Sequence, residues 1–540
     1  MERYNQLSGE EIDPVTKEQA TLLLQVLKST WDPIQYVVEE SRATRRMTWA
    51  TLWTIFQPGD IVILKPEDED DNDLLAARLV KFELIPERFD RDSRYEATIK
   101  IIDWNGSYTG YRKGTYPITK YEKFKKLVDI GIYPLSYDPD PERLKERLVQ
   151  RGRKFESLRG YFFMTRVDFN VTRRVVIDNY AYYRFQEGHV PTYAKLHGQS
   201  PVDEQSSDYD DNGREGFLQA LARSSSRTRK VRSSHNDRQE DLRPLTDDEC
   251  LLCVSTMKGF DVQEKKWHDI RVDDFQSITW NDEAFNQLAM EEERKRLILA
   301  FAKQKQSEAT GFDDFITGKV GKSFIILLCG PPGVGKTLTA ESVAERTRAP
   351  LYILSAGDLG TDAERVERSL KKALEMCALW RAIMLIDEAD VFLEARTADN
   401  IERNELVSVF LRLLEYYKGT LFLTTNREAT IDRAFESRID LILPYDDFDQ
   451  AARRQIWTNF ADSLVDGSHE LCDAHFDELS KQKLNGREIK STMKTALMLA
   501  NSDEKKLQME HLKIVLRVRQ RAAEYLHTEA SGGSRGCAAI

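Results

Sequence analysis

The chain has 540 residues, 41% of them apolar, and a formal net charge of −11, a length that suggests two to four domains with sizeable cores. The acid excess argues against bulk nucleic acid or an anionic membrane as the main partner, although local basic patches can still exist. The N-terminal MERYNQLSGEEID is polar and acidic, no apolar run is long enough for a bilayer, and six cysteines are too few for a disulfide framework. The expectation is therefore an intracellular protein, cytoplasmic or nuclear, with neither signal peptide nor transmembrane segment.

In chain order, TKEQATLLLQVLKSTW reads as a helix with Leu22, Leu23, Val26 and Leu27 on one apolar face. From Thr48 to about Phe185 short alternating runs (TLWTIF, DIVIL, YEATIKIIDW, RRVVIDNYAYY) read as strands. Within them PERLKERLVQRGRKFESL puts Leu144, Leu148, Phe155 and Leu158 on one helical face. This is a separate α+β, strand-rich domain. Trp49, Trp53, Trp104, Tyr180 and Tyr182 are expected in its core rather than on a base-stacking platform. Residues from about 186 to 245 lose all apolar period and read as a flexible linker, with Arg227, Arg229, Lys230 and Arg232 on a solvated stretch. Cys250 and Cys253 form a lone CxxC without a second pair or histidines, which favours a buried helix face over a metal or redox site. EAFNQLAMEEERKRLILAFAKQ then reads as a helix.

FIILLCGPPGVGKT, Phe324 to Thr337, joins a strand buried on both faces to a glycine-rich turn. Gly330, Gly333 and Gly335, with Pro331, Pro332 and Val334 between them, let the backbone curl until several N–H groups face a phosphate. Lys336 would reach the β and γ phosphates, the Thr337 hydroxyl would ligate Mg²⁺, and Leu338 opens a helix whose positive end faces the same anion.

Downstream, apolar strands alternate with amphipathic helices, the pattern of a doubly wound parallel sheet. LYILSA is the second strand. After a helix from about Glu364 to Trp380, AIMLIDEAD ends a buried strand in Asp387 and Glu388, carboxylates that are costly there unless something needs their charge. Asp387 would hold Mg²⁺ and Glu388 would polarise the attacking water. TLFLTTN ends in Asn426, which can hold that water without competing for its proton. Arg438 in SRID suits stabilisation of a transferring phosphoryl group, in its own site or a neighbour's. Arg487 in LNGREI stands in the first turn of a helix within an all-helical C-terminal region and could sense the γ-phosphate.

Taken together these motifs resemble an AAA ATPase over about Gly259 to Tyr525: GPPGVGKT as Walker A, LIDEAD as Walker B, TTN as sensor 1, SRID with the arginine finger and NGREI with the sensor 2 arginine. KGFDVQEKKW, GKTLTAESVAE and ELVSVFLRLLEYYKGTLFLTTNR are similar to a group of filamentous-fungal AAA proteins whose N-terminal domain has no assigned function. The resemblance implies ATP and Mg²⁺, hydrolysis, a helical lid, and a homo-oligomeric ring, a hexamer by analogy. It also implies an unknown protein client for the N-terminal domain. It divides the chain into residues 1–46, a helical segment; 47–185, the α+β domain; 186–247, the linker; 248–300, leading into the ATPase; 301–448, the large α/β subdomain; 449–530, the lid; and 531–540, a flexible tail.

Two departures stand out. SAGDLGTDAE lacks the aromatic-apolar-glycine grip of many unfoldases, and SRID has one arginine where RPGR has two, so activation in trans rests on Arg438 unless Arg433 or Arg403 helps. No NKxD-like guanine reader is present, and the asparagine sensor does not suit a small-molecule kinase. Two functions remain, a ring-forming ATPase that remodels a macromolecular partner, and an ATP-gated scaffold with negligible turnover. Cys537, Ala538, Ala539 and Ile540 have the C-a-a-X form of a prenylation signal, but Ala539 and Ile540 fit it poorly, and an unmodified tail without membrane attachment is expected.

Overall fold

The computed structural model describes residues 43–65, 73–86, 93–168, 171–186, 189–196, 242–304, 323–359, 362–396, 401–426, 431–464 and 467–531, with scattered helical positions between 19 and 40. Cys537 and the basic cluster at 227–232 lie outside the described residues. The chain divides into two compact units, Met1–Asp261 with Lys266–Gln276, and Val262–Lys265 with Ser277–Ile540.

The first unit comprises β1 (Arg46–Met47), β2 (Ile61–Leu64), β3 (Leu75–Ile85), β4 (Arg94–Trp104), β5 (Thr109–Thr119), β6 (Lys125–Lys126), β7 (Ile132–Pro134), α1 (Pro141–Ser157), β8 (Phe162–Asp168), β9 (Val171–Ile177), α2 (Asn179–Phe185), β10 (Ala194–Lys195), α3 (Asp247–Leu251), β11 (Thr256–Asp261), β12 (Lys266–Arg271) and β13 (Phe275–Gln276). One antiparallel sheet runs β10-β5-β4-β3-β2-β7, a second runs β12-β11-β9-β8-β13, and β1 pairs with β6. From Arg94 to Ile101 of β4 half-buried and buried residues alternate, as a strand with one face on a core requires, and Ile102 to Trp104 are all buried. Ile99 and Ile101 of β4, Leu148 and Phe155 of α1, Val175 of β9 and Met257 of β11 share one core.

Several sequence expectations change here. TLWTIF forms a 3-10 helix, Trp49–Thr54, rather than a strand. The Thr51 and Thr54 hydroxyls donate to the carbonyls of Thr48 and Thr51, local bonds that compete with a sheet ladder. Leu52 is its buried residue, Trp49 is half-buried, and Trp53 is 44% exposed, so Trp53 is not core. RRVVIDNYAYY splits because the Asp178 carboxylate accepts the Ala181 N–H and starts α2 as its N-cap. EAFNQLAMEEERKRLILAFAKQ likewise divides, into Glu283–Asn286 and a helix from Glu292. Both described ends of the expected linker are packed: Tyr193, Leu196 and Leu245 are buried. The stretch read as leading into the ATPase supplies β11, β12 and β13 to a sheet with β8 and β9.

α1 meets α3 at Gly152, where an added Cβ would lie 2.0 Å from the Cys250 carbonyl oxygen. Cys250 and Cys253 are both buried. The Cys253 thiol donates to the Glu249 carbonyl at 3.4 Å, and burial pushes both thiols well above their ordinary pKa, Cys250 to about 11. They behave as small core residues.

The second unit contains α4 (Glu292–Gln304), β14 (Phe324–Cys329), α5 (Lys336–Thr347), β15 (Leu351–Ser355), α6 (Ala363–Trp380), β16 (Ile383–Asp387), α7 (Asp390–Leu393), α8 (Ile401–Tyr416), β17 (Thr420–Thr425), β18 (Leu441–Pro444), α9 (Gln450–Asp462), α10 (Asp473–Ser480), α11 (Gly486–Ser502) and α12 (Met509–Ser531). The sheet order is β15-β16-β17-β14-β18, parallel throughout. All six residues of β17 are buried, which explains why the strand sequences show no polar alternation. Val343 and Ala344 of α5 pack with Ile326, Leu328, Leu385 and Phe422. The four C-terminal helices have their own core around Trp457, Phe476, Ile489 and Leu512.

Replacing glycine by alanine inside a helix ordinarily stabilises by about 0.5–1 kcal/mol. At Gly152 the clash reverses that sign, and Gly152→Ala is expected to destabilise by about 1–3 kcal/mol. Gly114→Ala, with its nearest atom 3.8 Å from the added carbon, should change stability far less. Urea unfolding of the intact protein measures both, and a stabilised Gly152→Ala variant would show that the helices are not in contact.

Candidate active site

β14, β16 and β17 are neighbours in the parallel sheet, so their carboxyl ends open on one crevice, where the strand order also reverses. The turn after β14 is held by its glycines. Gly330, Gly333 and Gly335 have φ of +142°, +82° and +97°, conformations that other L-residues adopt only with strain. Gly330 also has no room for a side chain, since a Cβ would stand 2.1 Å from the Tyr445 carbonyl oxygen. The loop feeds directly into α5, whose first residue is Lys336.

Lys336 is buried, and its ammonium donates to the carbonyls of Gly330 and Pro331 at 2.6 and 2.8 Å and to Asn426 Oδ1 at 2.8 Å. Desolvation lowers its pKa, and the carboxylates of Asp387 and Asp390 oppose that shift. Arg487, exposed in the first turn of α11, adds a further lowering through its charge. Arg487 follows Gly486, whose N–H donates to the Gly333 carbonyl, so its charge stands on the lid side of the loop.

Asp387 closes β16. Its two carboxylate oxygens lie 3.1 and 3.2 Å from the Thr337 hydroxyl, and Oδ1 also accepts the Thr424 hydroxyl. Glu388, one residue on, is exposed and has φ of +54°. Its N–H donates to the Thr424 hydroxyl oxygen at 2.9 Å, so Thr424 fixes both acidic positions. Asp390 accepts the Thr425 hydroxyl and the Asn426 N–H, which sets where β17 ends. Thr424, Thr425 and Asp390 were not singled out from the sequence. The signal was present in the TT before Asn426, because two hydroxyls at the end of an otherwise apolar strand need partners when buried.

The C-terminal helices meet this loop through Asn485 and Gly486. Asn485 caps α11 in a reciprocal box with Glu488, the Gly486 N–H donates to the Gly333 carbonyl at 2.9 Å, and a Cβ on Gly333 would strike the Asn485 side chain at 2.7 Å. Pairing of NGRE as a capping box is a sequence signature that locates this contact. On the other side Tyr445 donates its N–H to the Cys329 carbonyl and shares a 2.8 Å hydrogen bond with Thr339. Burial pushes the Tyr445 phenol up to about 12.

Arg438 stands apart from these groups. Its guanidinium donates to the Ala434 carbonyl at 2.9 Å and lies 3.6 Å from Glu415 of α8. The structure therefore brings Lys336, Thr337, Asp387, Glu388 and Asn426 together with Arg487 nearby, while the described contacts of Arg438 are with its own turn and α8. Pro331, Pro332, Val334 and Leu338 lie on or beside the glycine turn, Val334 buried and Leu338 50% exposed.

Residues 326–446 match the ATPase family associated with various cellular activities (AAA), residues 448–532 match the fungal AAA+ ATPase lid domain, and residues 37–139 match a domain of unknown function, DUF7025. The chain is 29% identical to a 26S proteasome regulatory subunit 4 homolog of Schizosaccharomyces pombe, over 39% of this chain and 48% of that protein. It is 29% identical to vacuolar protein sorting-associated protein 4A of Rattus norvegicus, over 41% and 51%, and 28% identical to an ATP-dependent zinc metalloprotease FtsH of Lachnoclostridium phytofermentans, over 35% and 34%. The chain thus spans between about a third and a half of the length of these relatives. The chain thus carries an AAA ATPase domain with a fungal-type AAA+ lid joined to it and an uncharacterised domain before them, the make-up of an AAA protein.

Proposed function

We propose that this protein is a Mg²⁺-dependent ATPase that assembles into a homo-oligomeric ring, a hexamer by analogy, and remodels a protein client engaged by its N-terminal domain. The observation that carries the enzymatic part is the convergence of Lys336, Asp387, Glu388 and Asn426 at the ends of three adjacent strands beside the glycine loop. An ATP-gated scaffold has no use for an exposed carboxylate held beside that loop.

The residues fit Mg²⁺, because a hydroxyl and a carboxylate, Thr337 and Asp387, stand together as hard oxygen donors next to the phosphate-cradling turn. When bound, the ion would neutralise charge on the β and γ phosphates. The chain's own groups do the rest. Lys336 exchanges its carbonyl partners for phosphate oxygens, and the loop N–H groups orient the triphosphate. Asn426 holds the water, and Glu388 accepts its proton as the water oxygen bonds to the γ-phosphorus. The bond from that phosphorus to the β–γ bridging oxygen breaks, its electron pair leaves with ADP, and orthophosphate is the second product. Arg487 senses the γ-phosphate from the lid, and Arg438, directed away from the site's own contacts, serves a neighbouring subunit.

Lys336 acts on the bound substrate, whereas Glu388 acts only when water attacks. Lys336→Ala is therefore expected to lose nucleotide binding. Glu388→Gln should keep binding and slow hydrolysis by about 10² or more, with fluorescent-nucleotide titration and phosphate release as the measurements. Equal loss of binding in both would overturn the assignment.

Supply of Arg438 from a neighbour predicts that activity rises with protein concentration and that Arg438→Ala binds ATP yet turns over about 10³-fold more slowly. Mixing it with Lys336→Ala should restore hydrolysis, since each variant retains what the other lacks. Full activity in a preparation that is monomeric by light scattering excludes this arrangement.

Thr424→Val removes the hydroxyl that joins Asp387 to the Glu388 N–H while keeping the side chain's shape. Turnover should fall about 10-fold, the worth of one hydrogen bond at a polar node, with nucleotide affinity unchanged, and Thr424→Ser should retain most of the rate. Loss of affinity in parallel with rate would assign Thr424 a merely structural part.

A further inference from the structure

A concentrated basic surface stands out in a chain whose net charge is −11. β1 and β6 pair so that Arg46 lies directly opposite Lys126. Like charges placed opposite one another in an antiparallel pair are destabilising, and among the described residues this ribbon has two strands. Arg45 precedes the ribbon, and Lys120, Lys123 and Lys125 belong to the segment that leads into and forms its second strand. All six cations are exposed, and among the described residues none of them has an ion-pair partner. The acids nearest in sequence are Glu40, Glu122 and Asp129, too few to neutralise six cations.

The aromatic residues here are of two kinds. The Lys120 ammonium sits 5.9 Å from the Trp49 ring centre, and the Lys125 ammonium sits 5.1 Å from that of Tyr121, whose hydroxyl donates to the Met47 carbonyl. Those rings are occupied and tie the segment to β1. Phe124, between Lys123 and Lys125, is instead 59% exposed and has no polar atom to satisfy. Base stacking on single-stranded nucleic acid uses a row of accessible ring faces along a groove, and the rings that could serve are already under ammonium groups. A single apolar ring flanked by lysines fits the boundary between headgroups and acyl chains of an anionic bilayer.

We infer that the surface formed by Arg45, Arg46, Lys120, Lys123, Lys125 and Lys126 around Phe124 docks the N-terminal domain on anionic phospholipid, with Phe124 entering the interface. The contact is peripheral and reversible, because one ring supplies little apolar area and the attraction is mainly electrostatic. It is independent of the nucleotide chemistry, and its surface lies within the first unit.

The test uses the full chain made in bacteria, so that no lipid can be attached at Cys537, and sedimentation with vesicles. Vesicles of phosphatidylcholine with about 30% phosphatidylserine, the anionic lipid of polybasic recognition, should bind the protein, and pure phosphatidylcholine vesicles should not. Raising salt to about 0.5 M should abolish binding through screening. The triple variant Lys123→Glu, Lys125→Glu, Lys126→Glu should lose at least about 10-fold in partitioning. Phe124→Ser should lose several-fold while leaving the salt dependence intact. Unchanged circular dichroism and an unchanged tryptophan-fluorescence unfolding curve show that both variants are folded in the unit that carries the substitutions, and if the triple variant unfolds, Phe124→Ser decides alone. Equal binding to both vesicle types, wild-type binding by the variants, or binding of a single-stranded RNA oligomer without binding of anionic vesicles overturns the proposal.

Discussion

The Asp387 carboxylate is the constraint on which the second unit's crevice depends. A charge at the end of a strand whose preceding four residues are buried costs several kcal/mol unless it is hydrogen-bonded. Thr337 from the start of α5 and Thr424 from the end of β17 meet that requirement. One side chain therefore registers a helix and two strands against each other. The same Thr424 oxygen accepts the Glu388 N–H, which carries that register one residue further, onto an exposed carboxylate. The parallel sheet supplies rigidity beneath this node, so Asp387 is held by the end of a strand and Glu388 by the turn that follows it directly.

A second constraint comes from close approach. Gly330 leaves no space against Tyr445, Gly333 leaves none against Asn485, and Gly486 reaches the Gly333 carbonyl. The loop between β14 and α5 is consequently clamped by β18's exit on one side and by the lid's α11 on the other. Arg487 follows Gly486 directly, so the backbone hydrogen bond that docks the lid also fixes where its positive charge sits. That charge is felt at Lys336. A change in the conformation of the glycine loop cannot leave α11 undisturbed.

Much of this was legible in the sequence, for physical reasons that differ by element. Strands buried on both faces announce themselves as apolar runs, and FIILLC, IMLID and TLFLTT lie where their composition puts them. The glycines of the loop are readable because positive φ is a backbone requirement rather than a packing preference. In the first unit the reading failed where short polar side chains compete with the ladder: Thr48, Thr51 and Thr54 turned an alternating run into a 3-10 helix, and Asp178 ended a strand that the apolar pattern continued. The pairing of β11 with β9 and of β13 with β8 was beyond reach, because it joins segments separated by about 80 to 110 residues and no local period encodes a partner. Thr424 and Asp390 were missed for a related reason. The two hydroxyls ending an apolar strand signal that partners are needed, but which groups they bond is unreadable until the neighbouring strand is placed beside them.

Glu388 is held with φ of +54°, a backbone conformation that costs a residue with a Cβ about 1–2 kcal/mol relative to glycine. The position is therefore one where the side chain works against the thermostability of the chain that carries it. Directed evolution that selects only for heat resistance will be drawn to replace Glu388, with glycine or asparagine favoured by the geometry. Under the role proposed for Glu388 the sturdier proteins would no longer turn over, so a stabilisation campaign has to keep activity in the screen.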